Sequence, residues 1–127
     1  MNHESNRAIA RQFHAALIKG DWAAIRALLS DDAKWILPGD NTISSPAQGA
    51  EAIVERAQKI AGYQLEFELL HILSGPKDAA LHLHNTAERG DIKLDEYLAT
   101  ILRIEDGKII FIETFLSDVA AMNTFFV

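Results

Sequence analysis

The sequence predicts an α+β fold in which a curved antiparallel sheet wraps on helices, in the order ααβαββββ, around an apolar cavity. Two short amphipathic segments lead into a brief strand, and a third amphipathic segment follows it. After residue 62 the hydrophobic period changes to two, and a meander of four strands follows. With 127 residues, 49% of them apolar, the chain is predicted to form one domain over residues 1–127.

The chain is predicted to begin with two amphipathic helices. The first is predicted from about Glu4 to Lys19, where Gly20 supplies the left-handed turn that ends a helix. Asp21 can cap a second helix, whose apolar face reaches Leu29. The apolar residues that repeat at helical spacing are Ile9, Phe13, Ala16 and Leu17 in the first segment, and Trp22, Ile25, Leu28 and Leu29 in the second.

A short strand, a polar loop and a third helix come next. The strand is predicted from Ala33 to Leu37 and ends at Pro38 and Gly39. Residues 40–48 form a polar loop, and we expect this loop and residues 122–127 to border the mouth of the cavity. The third helix is predicted over residues 50–61.

The rest of the chain reads as a meander of four strands. The first of these alternates strictly up to Leu69, and Leu70 breaks the pattern, which predicts a bulge that bends the strand. Later strands are predicted over residues 79–88, 94–105 and 108–116. Both faces of the last strand are apolar, so we expect one face to meet the helices and cavity and the other to meet a second copy in a homodimer.

Composition excludes several classes of protein. The chain has no cysteine, which excludes disulfides, a thiolate nucleophile and a cysteine zinc site, and fits the cytoplasm. No apolar run reaches the roughly 20 residues that span a bilayer, so no membrane partner is expected. With 12 basic against 18 acidic residues, the net charge of −6 opposes nucleic acid binding. A small hydrophobic molecule is the expected partner, and no motif indicates a cofactor or a metal ion.

Two titratable residues are candidates for acid–base chemistry. His84 shares a strand face with His82, a spacing that suits acid–base work or metal chelation if that face points inward. The alternative, which we favour, turns both histidines outward towards the dimer contact. Glu96 shares its parity with Leu98 and Thr100; facing inward it would be a desolvated acid or base, and otherwise it is a solvated residue near a strand end.

The predicted pocket is apolar with a few hydroxyl groups, which suits a hydrophobic ligand. The same side chains could equally form plain core. His14 is a further acid–base candidate. The predicted lining residues are Phe13, Leu17, Trp35, Leu37, His71, Leu98, Thr100, Ile112 and Thr114.

Four segments carry a resemblance to a known family. They are Ala-Ala-Leu-x-x-Gly-Asp ending at Asp21, the Trp and Pro-Gly segment over residues 32–39, the Asp-Gly-Lys-Ile turn at residues 106–109, and Asp118 with the alanines that follow. In this order they resemble the nuclear transport factor 2-like superfamily, especially its SnoaL-like and ketosteroid isomerase-like branch, over nearly the whole chain. The resemblance implies a cone-shaped fold with an open, mostly apolar cavity, commonly a dimer through the sheet.

The resemblance also shows what this chain lacks. The tyrosine, the carboxylate base and the protonated aspartic acid of the isomerases fall on Phe13, Leu37 and Thr100, which disfavours steroid isomerisation. The last acid of the epoxide hydrolases' Asp-Arg-Asp set falls near Thr114, which disfavours that chemistry too. For the acid and base of SnoaL-type cyclases, His84 and Glu96 are the nearest candidates.

Three functions therefore stay open. The first is a cofactor-independent enzyme of the isomerase, cyclase or hydratase kind. The second is a binding protein for an apolar ligand, and the third is a dimerising interaction domain.

Overall fold

The structure is a computed structural model that describes residues 3–127, with His3 described through its backbone. The predicted α+β class and element order are confirmed, and two short elements, β2 and α4, are added to the predicted order. The elements are α1 His3–Lys19, α2 Trp22–Leu28, β1 Leu29–Ile36, β2 Ala47–Gln48, α3 Ala50–Ala61, β3 Glu66–Ser74, β4 Asp78–Arg89, β5 Ile92–Glu105, β6 Lys108–Leu116 and α4 Val119–Phe125.

All six strands form one curved, unclosed sheet in the order β2-β1-β6-β5-β4-β3. The pairs from β3 to β6 are antiparallel, as predicted. However, β1 runs parallel to β6, so the sheet is mixed rather than wholly antiparallel. Hydrophobic alternation has the same period in both kinds of pairing, which is why the sequence pattern could not distinguish them.

The corner between α1 and β1 is built from local signals. Gly20 adopts a positive φ of 70°, and the Asp21 carboxylate accepts a hydrogen bond from the Ala24 amide at 3.1 Å. The first strand starts at Leu29, four residues before the predicted Ala33. Leu29 is buried and pairs with Ile109, so its apolar side chain belongs to the sheet rather than to the helix face.

Two irregularities bend the long strands. The β3–β4 register shifts between Leu69 and His71, which confirms the predicted bulge. A second shift lies between Arg103 and Ile104 opposite β6. Each bulge adds local twist and changes which side chains face inward. The sheet therefore curls its inner face around the helices.

The core fills the concave face of the sheet. Helix α1 packs on β3 and β4, α3 packs on β1, and α4 packs on β5. Fully buried side chains come from every layer, including Phe13, Ile53, Leu81, Leu102 and Phe125. Among the described helices, none combines the length and apolar character needed to cross a membrane.

Candidate functional site

A cavity lies between the concave face of the sheet and α1. Its volume is about 50 Å³, counted as the space open to the centre of a water molecule. Seven residues that the sequence predicted for a pocket line it: Phe13, Leu17, Trp35, Leu37, Leu98, Thr100 and Thr114. Nine others also line it: Ile43, Ile60, Leu65, Phe67, Leu81, Leu83, Asn85, Met122 and Phe126.

Two predicted lining residues lie elsewhere, which corrects the expectation. His71 is exposed and stacks on His82, with ring centroids 5.7 Å apart, because the bulge after Leu69 turns it to the convex face. Ile112 is buried between its strand neighbours Trp35 and Leu102, where it forms core below the cavity.

The residues that sequence reasoning missed come from four places, one of which is the stretch from the end of α3 into β3, with Ile60, Leu65 and Phe67. Leu81, Leu83 and Asn85 lie on the parity of β4 that faces inward, which alternation alone left open. Ile43 comes from the polar loop, and Met122 and Phe126 come from the end of the chain. Both segments were expected at the mouth of the cavity, and they do reach it.

We call these two segments, residues 39–46 and 118–127, the roof. They bind each other through hydrogen bonds. The Asn123 side-chain oxygen Oδ1 accepts from the Asp40 amide and from the Asn41 side-chain amide, at 2.7 Å each. The Thr42 amide donates to the Phe126 carbonyl oxygen at 3.0 Å. Two segments far apart in sequence therefore cover one side of the cavity together.

Two side chains from the body of the protein hold the end of the roof. The Tyr63 hydroxyl donates to the Val127 carbonyl oxygen at 3.1 Å. The Arg89 guanidinium donates to the Phe125 carbonyl oxygen at 2.7 Å and lies 5.5 Å from the centre of the Tyr63 ring.

Arg56 on α3 anchors the other half of the roof. Its guanidinium is buried, donates to the carbonyl oxygens of Trp35 and Ser44 at 3.2 Å each, and also donates to that of Ser45. It lies 5.3 Å from the centre of the Trp35 ring. Burial lowers the pKa of Arg56 to about 10, so the group keeps its charge at neutral pH. This side chain ties the loop to β1.

Trp35, Thr114 and Thr100 form a chain of hydrogen bonds on the cavity wall. The Trp35 indole Nε1 donates to Thr114 Oγ1 at 3.0 Å, and the two threonine hydroxyls are 3.1 Å apart. Only one of the two hydroxyl hydrogens is used between the threonines. Whichever way that bond runs, one hydroxyl hydrogen is left to donate to another group.

Asn85 and Glu96 are buried neighbours across β4 and β5. Asn85 lines the cavity and is 6% exposed, and its Oδ1 atom has no hydrogen-bond partner. Glu96 is fully buried behind the lining. Its Oε1 atom accepts from the Asp118 amide at 2.6 Å and from the Ser117 hydroxyl at 3.3 Å, while Oε2 has no partner. Burial raises the pKa of Glu96 above its usual value, opposed in part by these two bonds.

His84 lies on the opposite face of the sheet. Its ring stacks on Tyr97 at 4.4 Å, with Nδ1 3.2 Å from Glu68 and Nε2 2.5 Å from Asp95. Hydrogen bonds to Asp95 and then Glu68 raise the pKa of His84. The outward orientation is thus the one adopted. His84 and Glu96 point to different sides of the sheet, so they form no acid–base pair in the cavity.

His14 is buried in α1 but lies outside the cavity lining. Burial lowers its pKa, and its Nε2 atom has no partner. Within residues 3–127, no three His, Asp or Glu side chains are grouped as metal ligands.

The element order, together with a curved, unclosed mixed sheet whose concave face meets the helices, matches the nuclear transport factor 2-like fold. The chain belongs to the SnoaL-like domain family, which matches residues 10–112. No curated protein matches the sequence.

Solved structures share the fold over nearly the whole chain. Bal32a, from a soil-derived mobile gene cassette, is 27% identical, with 98% of each chain covered and a TM-score of 0.92. An NTF2-like protein from Burkholderia xenovorans is 19% identical, with 100% and 99% covered and a TM-score of 0.86. An LEH-like epoxide hydrolase from M. tuberculosis is 17% identical, with 98% and 90% covered and a TM-score of 0.74.

Proposed function

We propose that this protein binds a small apolar molecule that carries a polar oxygen. The observation that carries the proposal is the cavity lining, which is apolar except for Asn85, Thr100, Thr114 and the Trp35 indole nitrogen. Small-molecule sites typically combine apolar walls with a few polar groups that orient the ligand. Here the spare threonine hydroxyl hydrogen and the Asn85 amide are such groups.

Binding without chemistry is the function that the geometry favours. None of the side chains that line the cavity titrates near neutral pH. The nearest acid that could serve a reaction is Glu96, whose Oε1 atom is already taken by Ser117 and Asp118. An enzyme of the isomerase, cyclase or hydratase kind is the second candidate, because burial raises the pKa of Glu96 towards the range of a general acid.

The size of the cavity adds a condition. Its volume of about 50 Å³ holds only a few water molecules, since one water needs about 10–15 Å³ by this measure. A ligand therefore needs the roof to move outward as it enters.

A thermal-shift screen tests the proposal. Steroids, polyketide-like aromatics and terpenoid epoxides are the probes, and a ligand at one hundred times its Kd adds about 2.7 kcal/mol, which raises Tm by several degrees. We expect Leu98→Phe, which fills the cavity, to abolish the shift. Ile101→Phe, on the convex face of the same strand, is the matched control and should retain it. A shift that survives Leu98→Phe would place the ligand outside the cavity.

Turnover assays with the compounds that bind separate the two candidates. The enzyme candidate predicts that Glu96→Gln loses turnover while it still binds the compound. The binding candidate predicts no turnover by the wild-type protein.

We also propose that two copies pair through the convex face of the sheet. Support comes from large apolar side chains exposed on that face, with Leu73 59%, Tyr97 49% and Phe115 49% exposed. Exposed apolar patches of this kind commonly mark interfaces.

A further inference from the structure

Two buried oxygen atoms without partners belong to residues that face each other directly. Asn85 on β4 pairs with Glu96 on β5 in the antiparallel register. Side chains at such opposed positions have Cβ atoms about 4.5–5.5 Å apart, so the amide and the carboxyl group lie within reach. Asn85 Oδ1 and Glu96 Oε2 are both enclosed by protein and accept no hydrogen bond.

Two acceptors cannot satisfy each other unless one of them gains a hydrogen. Leaving both unpaired in the interior costs the desolvation energy of each group. A proton on Glu96 Oε2 makes that atom a donor to Asn85 Oδ1. Alternatively, ionised Glu96 can accept from the Asn85 NH₂ group if the amide turns by 180°, since the two ends of an amide are nearly equal in shape.

These two arrangements present different ends of Asn85 to the cavity. When Glu96 is protonated and holds Oδ1, the Asn85 NH₂ group is left to donate towards the cavity. When Glu96 is ionised and holds the NH₂ group, Oδ1 is left to accept there. The other oxygen of Glu96 cannot change roles, because the Asp118 amide and Ser117 hydroxyl already hold Oε1.

We propose that Asn85 is the ligand's hydrogen-bonding partner and that the proton on Glu96 selects which end of the Asn85 amide the ligand meets. This inference rests on the proposed function. With Glu96 protonated, the site takes an apolar molecule that carries a carbonyl oxygen. With Glu96 ionised, it takes the corresponding alcohol in preference. Glu96 is thus a positioning residue that acts through Asn85.

The surroundings of Glu96 raise its pKa, so the carboxyl group keeps its proton to a higher pH than an exposed glutamate does. Burial is the largest influence on its pKa and raises it, and the Asp118 amide and Ser117 hydroxyl act the other way. The carboxylates of Asp118 and Asp95 are the charged groups nearby, and both favour the protonated form.

The experiment uses three probes with one apolar skeleton: indane, 1-indanone and 1-indanol. Their Kd values for the whole protein are measured by calorimetry from pH 4 to pH 9. We expect the wild-type protein to bind the ketone about fivefold more tightly than indane at the acidic end, as one added hydrogen bond allows. The ratio of ketone to alcohol affinity should fall as the pH rises, with the midpoint at which the Glu96 carboxyl ¹³C signal titrates.

Two variants make the test specific. In Glu96→Gln the amide NH₂ group always donates to Asn85 Oδ1, so the ketone preference should persist at every pH. In Asn85→Leu the ketone preference over indane should disappear, while Thr86→Leu, on the convex face of the same strand, should keep it. A constant wild-type ratio from pH 4 to pH 9, or a ketone preference that survives Asn85→Leu, overturns the proposal.

Failure of the proposed function gives a different result. If none of the three probes binds, the cavity is not a site for such molecules, and the Asn85–Glu96 pair is judged without ligand. The Asn85 side-chain amide NMR signals should then shift with pH in the wild-type protein and stay fixed in Glu96→Gln. Signals that do not move with pH in the wild-type protein overturn the switch.

Discussion

Glu96 is an acid enclosed at the centre of a sheet, where its ionisation opposes folding. Because burial raises its pKa in the folded protein, the folded state binds the proton more tightly than the unfolded chain does. Ionisation of Glu96 therefore lowers the free energy of unfolding. This loss is absent below the unfolded pKa of about 4.3, where both states are protonated, and it grows as the pH rises towards the folded pKa.

Glu96→Gln should therefore gain stability relative to the wild-type protein as the pH rises from 4 to 8. The glutamine keeps the oxygen that accepts from the Asp118 amide and removes the buried charge. Thermal unfolding across this range measures the difference in Tm, with Glu105→Gln at the exposed end of β5 as the control. A difference in Tm that does not change with pH would contradict the prediction.

His84 has the opposite pH dependence. Its pKa is raised by Asp95 and Glu68, so its ion pairs stabilise the fold fully below the unfolded pKa of about 6.5, and this contribution is lost as the pH rises through the folded value. We expect His84→Gln to lower Tm at pH 5.5 and to have less effect at pH 9. The control is His82→Gln, since His82 forms no ion pair within residues 3–127. An equal loss at both pH values would argue against the ion pairs.

The sequence predicted the types of these residues better than their surroundings. Glu96 does lie on the inward parity that it shares with Leu98 and Thr100. The groups that hold it come after β6, and no pattern within β5 indicates them. Similarly, the partners of His84 lie on two other strands, and that contact depends on a register that alternation does not determine.

At the scale of elements, one side chain accepts two of the hydrogen bonds that join the two halves of the roof. Asn123 receives two hydrogen bonds on a single oxygen, from Asp40 and Asn41. Asn123→Ala should lower the free energy of unfolding by about 1–2 kcal/mol, as expected for the loss of such bonds, and should speed ligand exchange. Urea unfolding measures the first effect. Asn123→Asp keeps an accepting oxygen and should lose less; equal losses would mean that the oxygen is not the cause.

Gly39 lies next to Asn123 and Asn41 at the same junction, and its backbone conformation also matters there. Its φ is +123°, and a Cβ atom built there would lie 2.7 Å from both Asn123 Oδ1 and Asn41 Nδ2. We expect Gly39→Ala to destabilise the protein by more than the roughly 1–3 kcal/mol of backbone strain alone. Gly107→Ala is the control because its φ is also positive, at +77°, and its Cβ would meet open space. Equal losses of stability in the two variants would exclude the contact with Asn123.

Element types were predictable where an apolar period was long and its ends were marked. Helices α1 and α3 and the strands of the meander meet both conditions. The boundary at Leu29 failed because an apolar residue at the end of a short helix fits either a helix face or the next strand. Helix α4 is as short as α2, and the signal that could have found it is Asp118, whose side chain accepts from the Ala121 amide and caps the helix.

At the scale of the molecule, the proposed dimer depends on the apolar side chains exposed on the convex face of the sheet. Phe115 and Tyr97 are each 49% exposed there. We expect a dimer by light scattering and a monomer for Phe115→Lys, because a charge at the centre of an apolar interface is costly to desolvate. Ile18→Lys on α1 changes an apolar residue of similar exposure, 56%, and should leave the dimer intact. A wild-type monomer, or a Phe115→Lys dimer, would contradict the pairing.

The overall fold was more predictable than the cavity. The long strands, the curvature and the concave apolar face follow from patterns spread over many residues, so single errors such as the missed β2 matter little. The volume and polarity of the cavity depend on a few side chains, such as Ile43, Asn85 and Phe126, whose positions are determined by tertiary contacts. The sequence therefore predicted walls made by Trp35 and Leu98 and the two segments at the mouth, but not which side chains of those segments line the site.

The pairing of β1 with β6 has a consequence for the order of events during synthesis. Trp35 and Thr114, which are hydrogen-bonded on the cavity wall, are 79 positions apart in the sequence. Strand β1 can therefore pair with β6 only after β6 has been synthesised, and contacts between residues so far apart in sequence form slowly. The nascent chain can assemble the β3–β5 meander while the final strand and α4 are still inside the ribosome. The cavity forms only after β6 and α4 have left the ribosome, so a ligand can act on the folded domain but cannot guide the early folding of the meander.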